Sequence, residues 1–374
     1  MSGSVQAAAR SNPVNTADYH ALGRGGANAL RRHSDSLQAR CGLQRLQTLQ
    51  QMGMFPVEHE RPMGFQLELT HACNLRCKHC YNTSGGGQTK NDMPFEVWER
   101  VVDEICEFEP FQVIISGGEP LLLGDKLFQI MDRLNKEPTR FVIITNGSLA
   151  DAQMIQRLDR YSYYWMQVSI DGYSPELHDA FRGMKGSWLK AVRAAQKIAA
   201  LNQALVIAHT VTPENLSTLP QMVNMAYVLG ATRIICDEAM HVGRAWHERK
   251  ELQLSDEQRD WLSETIIAKQ DEYQNAMEVL QTSDIADSFE LYQRTPCNVM
   301  LVRPNGDVKL DCVLPFVIGN VQRQSLKEIW QAIGRSAWKH PKIEAFIRSY
   351  QENHSFDKCE ARPYVNKDIY IGAV

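Results

Sequence analysis

Three cysteines fall within eight residues, Cys73, Cys77 and Cys80, in the stretch FQLELTHACNLRCKHCYN. They follow a strand-like run over residues 65–70. Three thiolates placed there can converge on an iron-sulfur cluster or a soft metal ion. If each holds one iron of a [4Fe-4S] cubane, the fourth iron stays open, which suits it to binding a substrate or cofactor. The alternatives are a zinc knuckle or a fragment of a ferredoxin motif. The C-x3-C-x2-C spacing fits both poorly, because bacterial ferredoxins run C-x2-C-x2-C and zinc sites favour C-x2-C pairs.

The remaining composition narrows the classes. A chain of 374 residues can bury a large core, as one big domain or two ordinary ones. Its 40 basic and 44 acidic residues leave a net charge of -4, so nucleic acid is not indicated as a partner. No apolar run reaches the roughly eighteen residues of a membrane span, and MSGSVQAAARSNP lacks the apolar core of a secretory signal, so a cytoplasmic protein without a membrane partner is expected. Nine cysteines, an odd number grouped by spacing, argue for metal ligation in a reducing compartment over disulfides.

Along the chain, residues 1–62 form a separate N-terminal extension, in which Leu43, Leu46 and Leu49 predict an amphipathic helix over 37–52. From residue 65 a strand-helix alternation predicts six strands, at 65–70, 111–116, 141–146, 164–170, 204–212 and 232–237. Helical stretches at 94–108, 125–136, 151–158, 187–202 and 215–229 separate them. Near-continuous apolar strands spaced by helices mean a parallel sheet covered by helices, either a partial barrel or a doubly wound open sheet. Polar residues gather at the strand ends: the three cysteines, then Gly117-Gly118-Glu119, Asn146-Gly147, Ser169 with Asp171, Thr210 with Thr212, and Asp237-Glu238. In a parallel barrel all those carboxyl ends share one face, where active sites are built. Asp237 and Glu238 are weak candidates for a base, and a carboxylate at a strand end is as readily structural. A long charged helix over 255–280 reads as a bridge spanning 251–295.

The cysteine motif resembles the signature of radical S-adenosylmethionine (SAM) enzymes, and Gly117-Gly118-Glu119-Pro120 after the second strand is similar to that family's next motif. The resemblance covers about residues 65–335 and implies a partial (β/α)6 barrel over 63–250. It implies that the amino and carboxylate groups of SAM bind the open iron and that one electron yields a 5′-deoxyadenosyl radical. By the same resemblance the Gly117-Gly118-Glu119 loop holds the methionyl amino group, Ser169 contacts ribose or carboxylate, Arg182 salt-bridges the SAM carboxylate, and Val211 flanks the adenine. The bland readings are an ordinary glycine turn, a solvated helix-end arginine and a buried strand residue; Asp171 reads as a brace. One departure is His79, where the family usually carries an aromatic residue.

A second cysteine set, Cys297, Cys312 and Cys359, lies in residues 296–374, and the segment 319–331 resembles the helix entry of SPASM and twitch extensions, which carry auxiliary [4Fe-4S] clusters. Asn305-Gly306 predicts a two-residue hairpin turn that pairs Pro304 with Asp307 and makes Cys297 and Cys312 diagonal neighbours. A full SPASM extension has about seven cysteines; three suffice for one cluster whose fourth ligand is open or comes from Asp311 or His354. The alternative is an extension with no cluster. Cys41 and Cys106 read as packing residues, and Cys236 as packing with a lesser chance of ligation.

The expected function is therefore radical SAM oxidation of a peptide or protein, by cross-linking, epimerisation or dehydrogenation, with a flavodoxin or ferredoxin as external electron donor. The alternatives are oxidation of a small molecule or tetrapyrrole side chain and, from another class, a non-catalytic iron-sulfur scaffold.

Overall fold

The computed structural model describes residues 48–54, 58–85, 91–201, 203–282, 288–289, 292–293, 299–353 and 355–372. Residues 48–51 are helical, and the rest of the helix expected over 37–52 lies outside the described residues.

Six strands alternate with helices as the apolar runs dictate: β1 (Gly64–Glu68), β2 (Gln112–Ser116), β3 (Arg140–Thr145), β4 (Tyr163–Ser169), β5 (Leu205–Val211) and β6 (Arg233–Glu238). The covering helices are α1 (Phe95–Glu107), α2 (Asp125–Leu134), α3 (Ala152–Leu158), α4 (Pro175–Arg182), α5 (Ser187–Ala200), α6 (Leu219–Val228) and α7 (Asp256–Tyr273). Two further strands extend the parallel run: β7 (Glu278–Leu280) beside β6, and β8 (Val299–Val302) beside β1. A hairpin partner β9 (Asp307–Lys309) and then β11 (Gly319–Asn320) add antiparallel edges, while β10 (Phe316–Val317) pairs with the tail strand β12 (Ile369–Tyr370). Among the described residues the order β11-β9-β8-β1-β2-β3-β4-β5-β6-β7 does not close on itself, and the sheet is a partial barrel.

Period-two alternation sorts each strand between helices and lumen. Phe65, Leu67, Val113, Ile115, Met166, Val168 and Ile234 are fully buried in the core under the helices. Gln66, Glu68, Ser116, Gln167 and Ser169 alternate with them and share the inner face.

Two expectations are corrected. The bridge helix ends at Tyr273, not Leu280: Gln274 leaves helical geometry at ψ 134°, Asn275 follows at φ +69°, and Glu278-Val279-Leu280 turn back into the sheet against Arg233-Ile234-Ile235. The C-terminal hairpin closes through three residues. Arg303 N donates to Asp307 O, Gly306 takes φ +86°, and Val302 pairs with Val308. Pro304 has no N–H for the ladder, and Asn305 Oδ1 accepts from Asp307 N, so the loop carries one residue more than a two-residue turn. The pairing is therefore one residue out of the expected register, and the ladder ends at Lys309, so Cys312 lies in the turn beyond it and not in the paired strand that was to make it a diagonal neighbour of Cys297.

Candidate active site

The cysteine loop leaves β1 and is held by the turn that leaves β2. Gly118 N donates to Thr70 O at 2.7 Å and Glu119 N to Ala72 O at 2.9 Å. A Cβ on Gly118 would stand 2.0 Å from Ala72 O, and Gly117 has φ +133°. The two glycines therefore allow close approach to the cysteine loop. On the far side, Arg76 N and Lys78 N donate to the carbonyls of Arg182 and Phe181 at the end of α4.

The three thiols gather within this frame. Burial pushes Cys73 up to about 12, and the neighbouring Glu119, Cys77 and Cys80 push in the same direction. Burial also raises Cys77, against the opposing charge of Arg182, and Cys80, against Arg244 and the N–H groups of Ser84, Asn82 and Thr83. Three mutually repelling thiolates, one buried and two half-buried, are costly as bare anions and are relieved by a cationic metal group. Donors surround them: Leu75 N lies 3.4 Å and Asn146 Nδ2 3.8 Å from Cys73 Sγ, and Arg182 Nη1 lies 3.8 Å from Cys77 Sγ. Among the described residues no three Cys, His, Asp or Glu side chains close round a single metal-ion position. Thiolates that each meet a different iron stand farther apart than ligands sharing one ion. The donor set fits a three-thiolate iron-sulfur cluster.

Glu119 is fully buried, and burial raises its carboxyl. Its oxygens accept from Thr145 Oγ1 at 2.7 Å, Asn146 N at 2.8 Å and Leu121 N at 3.2 Å, so the carboxylate ties the Gly-Gly turn to the end of β3. Arg182 is buried, not solvated. Its Nε donates to Asp171 Oδ2 at 2.5 Å, which joins Asp171 to Cys77. Asp171 also accepts from Thr210 N, and Arg182 holds its carboxyl well below the usual range despite complete burial. His79 stacks on Phe181 with centroids 4.5 Å apart and planes 1° from parallel, and burial lowers it to about 4. A neutral imidazole thus fills the place of the expected aromatic ring. Ser169 is half-buried at the end of β4, and Val211 is fully buried at the end of β5.

The two base candidates are engaged elsewhere. Asp237 accepts from Thr282 N and Oγ1 at 2.7 and 2.8 Å, and Glu238 accepts from Arg259 Nε at 2.9 and 3.1 Å. Cys236 is fully buried in the core under the helices. Cys297 and His354 lie outside the described residues. Cys312 is raised well above the ordinary thiol range by burial together with Asp311 and Glu68, whereas Cys359 donates to Ser355 O and is acted on by Ser349 and Arg362. Asp311 accepts from Val313 N, and burial raises it.

A further buried polar cluster lies on the inner face around Glu68. Glu68, fully buried on the inner face, accepts from Tyr81 Oη at 2.7 Å and Tyr364 Oη at 3.2 Å, and its other oxygen lies 4.0 Å from Arg303 Nε. Arg303 and Lys309 both lie against the Tyr364 ring and pair with Asp368 at 2.6 and 3.6 Å. The signal was legible in FQLELT, where the apolar Phe65, Leu67 and Leu69 put Gln66, Glu68 and Thr70 on the opposite face.

A model of the radical SAM superfamily matches residues 67–226. That stretch is a radical SAM domain. A second model, SPASM, an iron-sulfur cluster-binding domain, matches residues 294–361. The chain is 30% identical to the PqqA peptide cyclase of Granulibacter bethesdensis over 55% of this chain and 55% of that protein. It is 29% identical to the mycofactocin maturase MftC of Mycobacterium tuberculosis over 69% of this chain and 66% of that one. It thus spans about half to two thirds of these relatives' lengths. Streptococcus suis SuiB bound to its precursor peptide SuiA shares the fold, with a TM-score of 0.60 at 15% identity, covering 84% of this chain and 71% of that one. The two domains imply [4Fe-4S] clusters and SAM as cofactors of this radical SAM protein. None of its described helices is long and apolar enough to cross a membrane.

Proposed function

We propose that this radical SAM enzyme oxidatively modifies a peptide, with Cys73, Cys77 and Cys80 holding the cluster that binds SAM. The observation that carries the reading is the convergence of three thiols, one buried and two half-buried, after the carboxyl end of β1, laced to the Gly-Gly turn after β2. When bound, the cluster and SAM supply a strongly oxidising carbon radical able to remove an unactivated hydrogen. The chain's own groups prepare the site. The Gly117-Gly118 backbone fixes the cysteine loop, Arg182 and Asn146 direct N–H groups at thiolate sulfur, and Glu119 sets the end of β3. Ser169 and Val211 end the strands beside the pocket and are the proposed contacts for the nucleoside part of SAM. The tail residues Tyr364 and Asp368 close the inner face and keep water from a reactive centre.

The names of the relatives support a peptide substrate, since the chain resembles a peptide cyclase and a maturase. A flavodoxin or ferredoxin would deliver the electron. Cys297, Cys312 and Cys359 are the candidate ligands of a SPASM cluster. The test is anaerobic co-expression with short peptides encoded beside the gene, followed by mass spectrometry. The proposal expects loss of hydrogen from one peptide and 5′-deoxyadenosine that forms with it. Deoxyadenosine formation stimulated by a tetrapyrrole and by no peptide would overturn it.

A further inference from the structure

The segment leaving β6 crosses the barrel mouth and fastens onto the cysteine loop. Arg244 N donates to Cys80 O at 2.9 Å, Arg244 Nη1 to Cys77 O at 2.6 Å, and Nη2 to Thr83 O at 3.1 Å and Ser84 O at 2.5 Å. One guanidinium therefore spans three carbonyls on both sides of Cys80. The preceding Gly243 makes this approach possible: it has φ +57°, and a Cβ there would stand 1.9 Å from Tyr81 O. The amide of Gly243 donates to Pro363 O at 3.2 Å, which connects the same segment to the C-terminal tail. That tail touches the cysteine loop a second time, where Tyr364 meets Tyr81 edge-on at 5.5 Å and shares Glu68 with it.

We infer that Arg244 is a positioning residue that pre-forms the cysteine loop, and that Gly243 couples the loop to docking of the C-terminal tail. The loop has few bonds of its own. Cys80 N donates to Cys77 O and Thr83 N to Cys80 O at 3.4 Å, long for amide bonds. An Arg fork meets several fixed acceptors at once, whereas a lysine ammonium on a flexible stem is a single point. Without the fork, the carbonyls of Cys77, Thr83 and Ser84 lose a charged donor and the loop samples open forms. The inference rests on the proposed role of Cys73, Cys77 and Cys80, but its first readout does not.

Hydrogen exchange on the full-length, unloaded chain tests it, with Arg244→Gln, Arg244→Lys and Gly243→Ala beside the parent. The expected result is exchange at least about tenfold faster over residues 76–85 in all three variants, with a smaller rise over 359–372 and no change in β1, β2 and β3. After reconstitution, Arg244→Gln and Arg244→Lys should retain less iron and show an altered electron paramagnetic response to added SAM. Unchanged exchange over 76–85, full rescue by lysine, or uniform loosening of every strand would each overturn the inference. If Arg244→Gln fails to fold, Gly243→Ala decides by the same criteria. Because exchange is read without cluster or SAM, loop loosening in a protein that cleaves no SAM would contradict the proposed function and leave the clamp standing.

Discussion

At the scale of single residues, the buried histidine behind Asp171 gives the molecule a pH dependence. His178 is fully buried, and its Nδ1 accepts from Asp171 N at 3.1 Å, a bond that requires an unprotonated ring nitrogen. Burial lowers it to about 4, helped by Arg182 and His209 and opposed by Asp171 and Asp179. The unfolded chain therefore binds this proton more readily between about pH 6.5 and pH 4. Its contribution is complete above about 6.5 and is lost as pH falls through that window, on the order of 3 kcal/mol. Denaturant unfolding of the unloaded chain should show a midpoint falling over that range, with a shallower fall in His178→Asn; identical slopes would contradict this. Asp237 and Glu238 give the opposite expectation for activity. Their oxygens are occupied by Thr282 and Arg259, so Asp237→Asn and Glu238→Gln should leave deoxyadenosine release within about threefold of the parent, a change under 1 kcal/mol. A loss of about a hundredfold would restore them as acid-base candidates.

At the scale of elements, the Gly-Gly turn is a tight joint of the site. Gly118→Ala must displace Ala72 O from a Cβ only 2.0 Å away, and backbone cannot yield as a flexible side chain can. Such overpacking should cost about 1–3 kcal/mol in unfolding free energy and lower iron uptake with it. Helix α7 depends on its start: Ser255 Oγ accepts from Gln258 N while Gln258 Oε1 accepts from Ser255 N. Ser255→Ala should cost about 1 kcal/mol, read as a shifted denaturation midpoint with an unchanged slope. The six central strands were legible because each is a short apolar run whose pairing only confirms its hydrophobicity. The end of α7 was not, because residues 274–280 lack a Gly or Pro stop and β7 becomes a strand only through pairing with β6. The hairpin register was missed because a proline beside Asn-Gly adds a loop residue that the dipeptide alone does not announce.

At the scale of the whole molecule, the chain closes on itself more tightly than its sequence suggests. The C-terminal region is no appendage: β8 pairs in parallel with β1, the strand that carries the cysteine loop, and the tail strand β12 pairs with β10. The cysteine loop is thereby gripped from the β2 turn, the end of α4, the segment after β6 and the tail. Cys73, Cys77 and Cys80 were legible by spacing alone, since three thiols so near in sequence have few other uses. Glu68, Arg244 and Arg303 were harder to recognise because their roles come from partners tens to hundreds of residues away. The central claim is that the first cysteine set carries the SAM chemistry. The most direct measurement is anaerobic reconstitution of the parent and a Cys73→Ala/Cys77→Ala/Cys80→Ala variant, counting iron and sulfide and assaying 5′-deoxyadenosine on reduction. The account predicts SAM cleavage in the parent alone and about four fewer irons per chain in the variant. SAM cleavage that survives in the variant, or equal iron in both proteins, would contradict it.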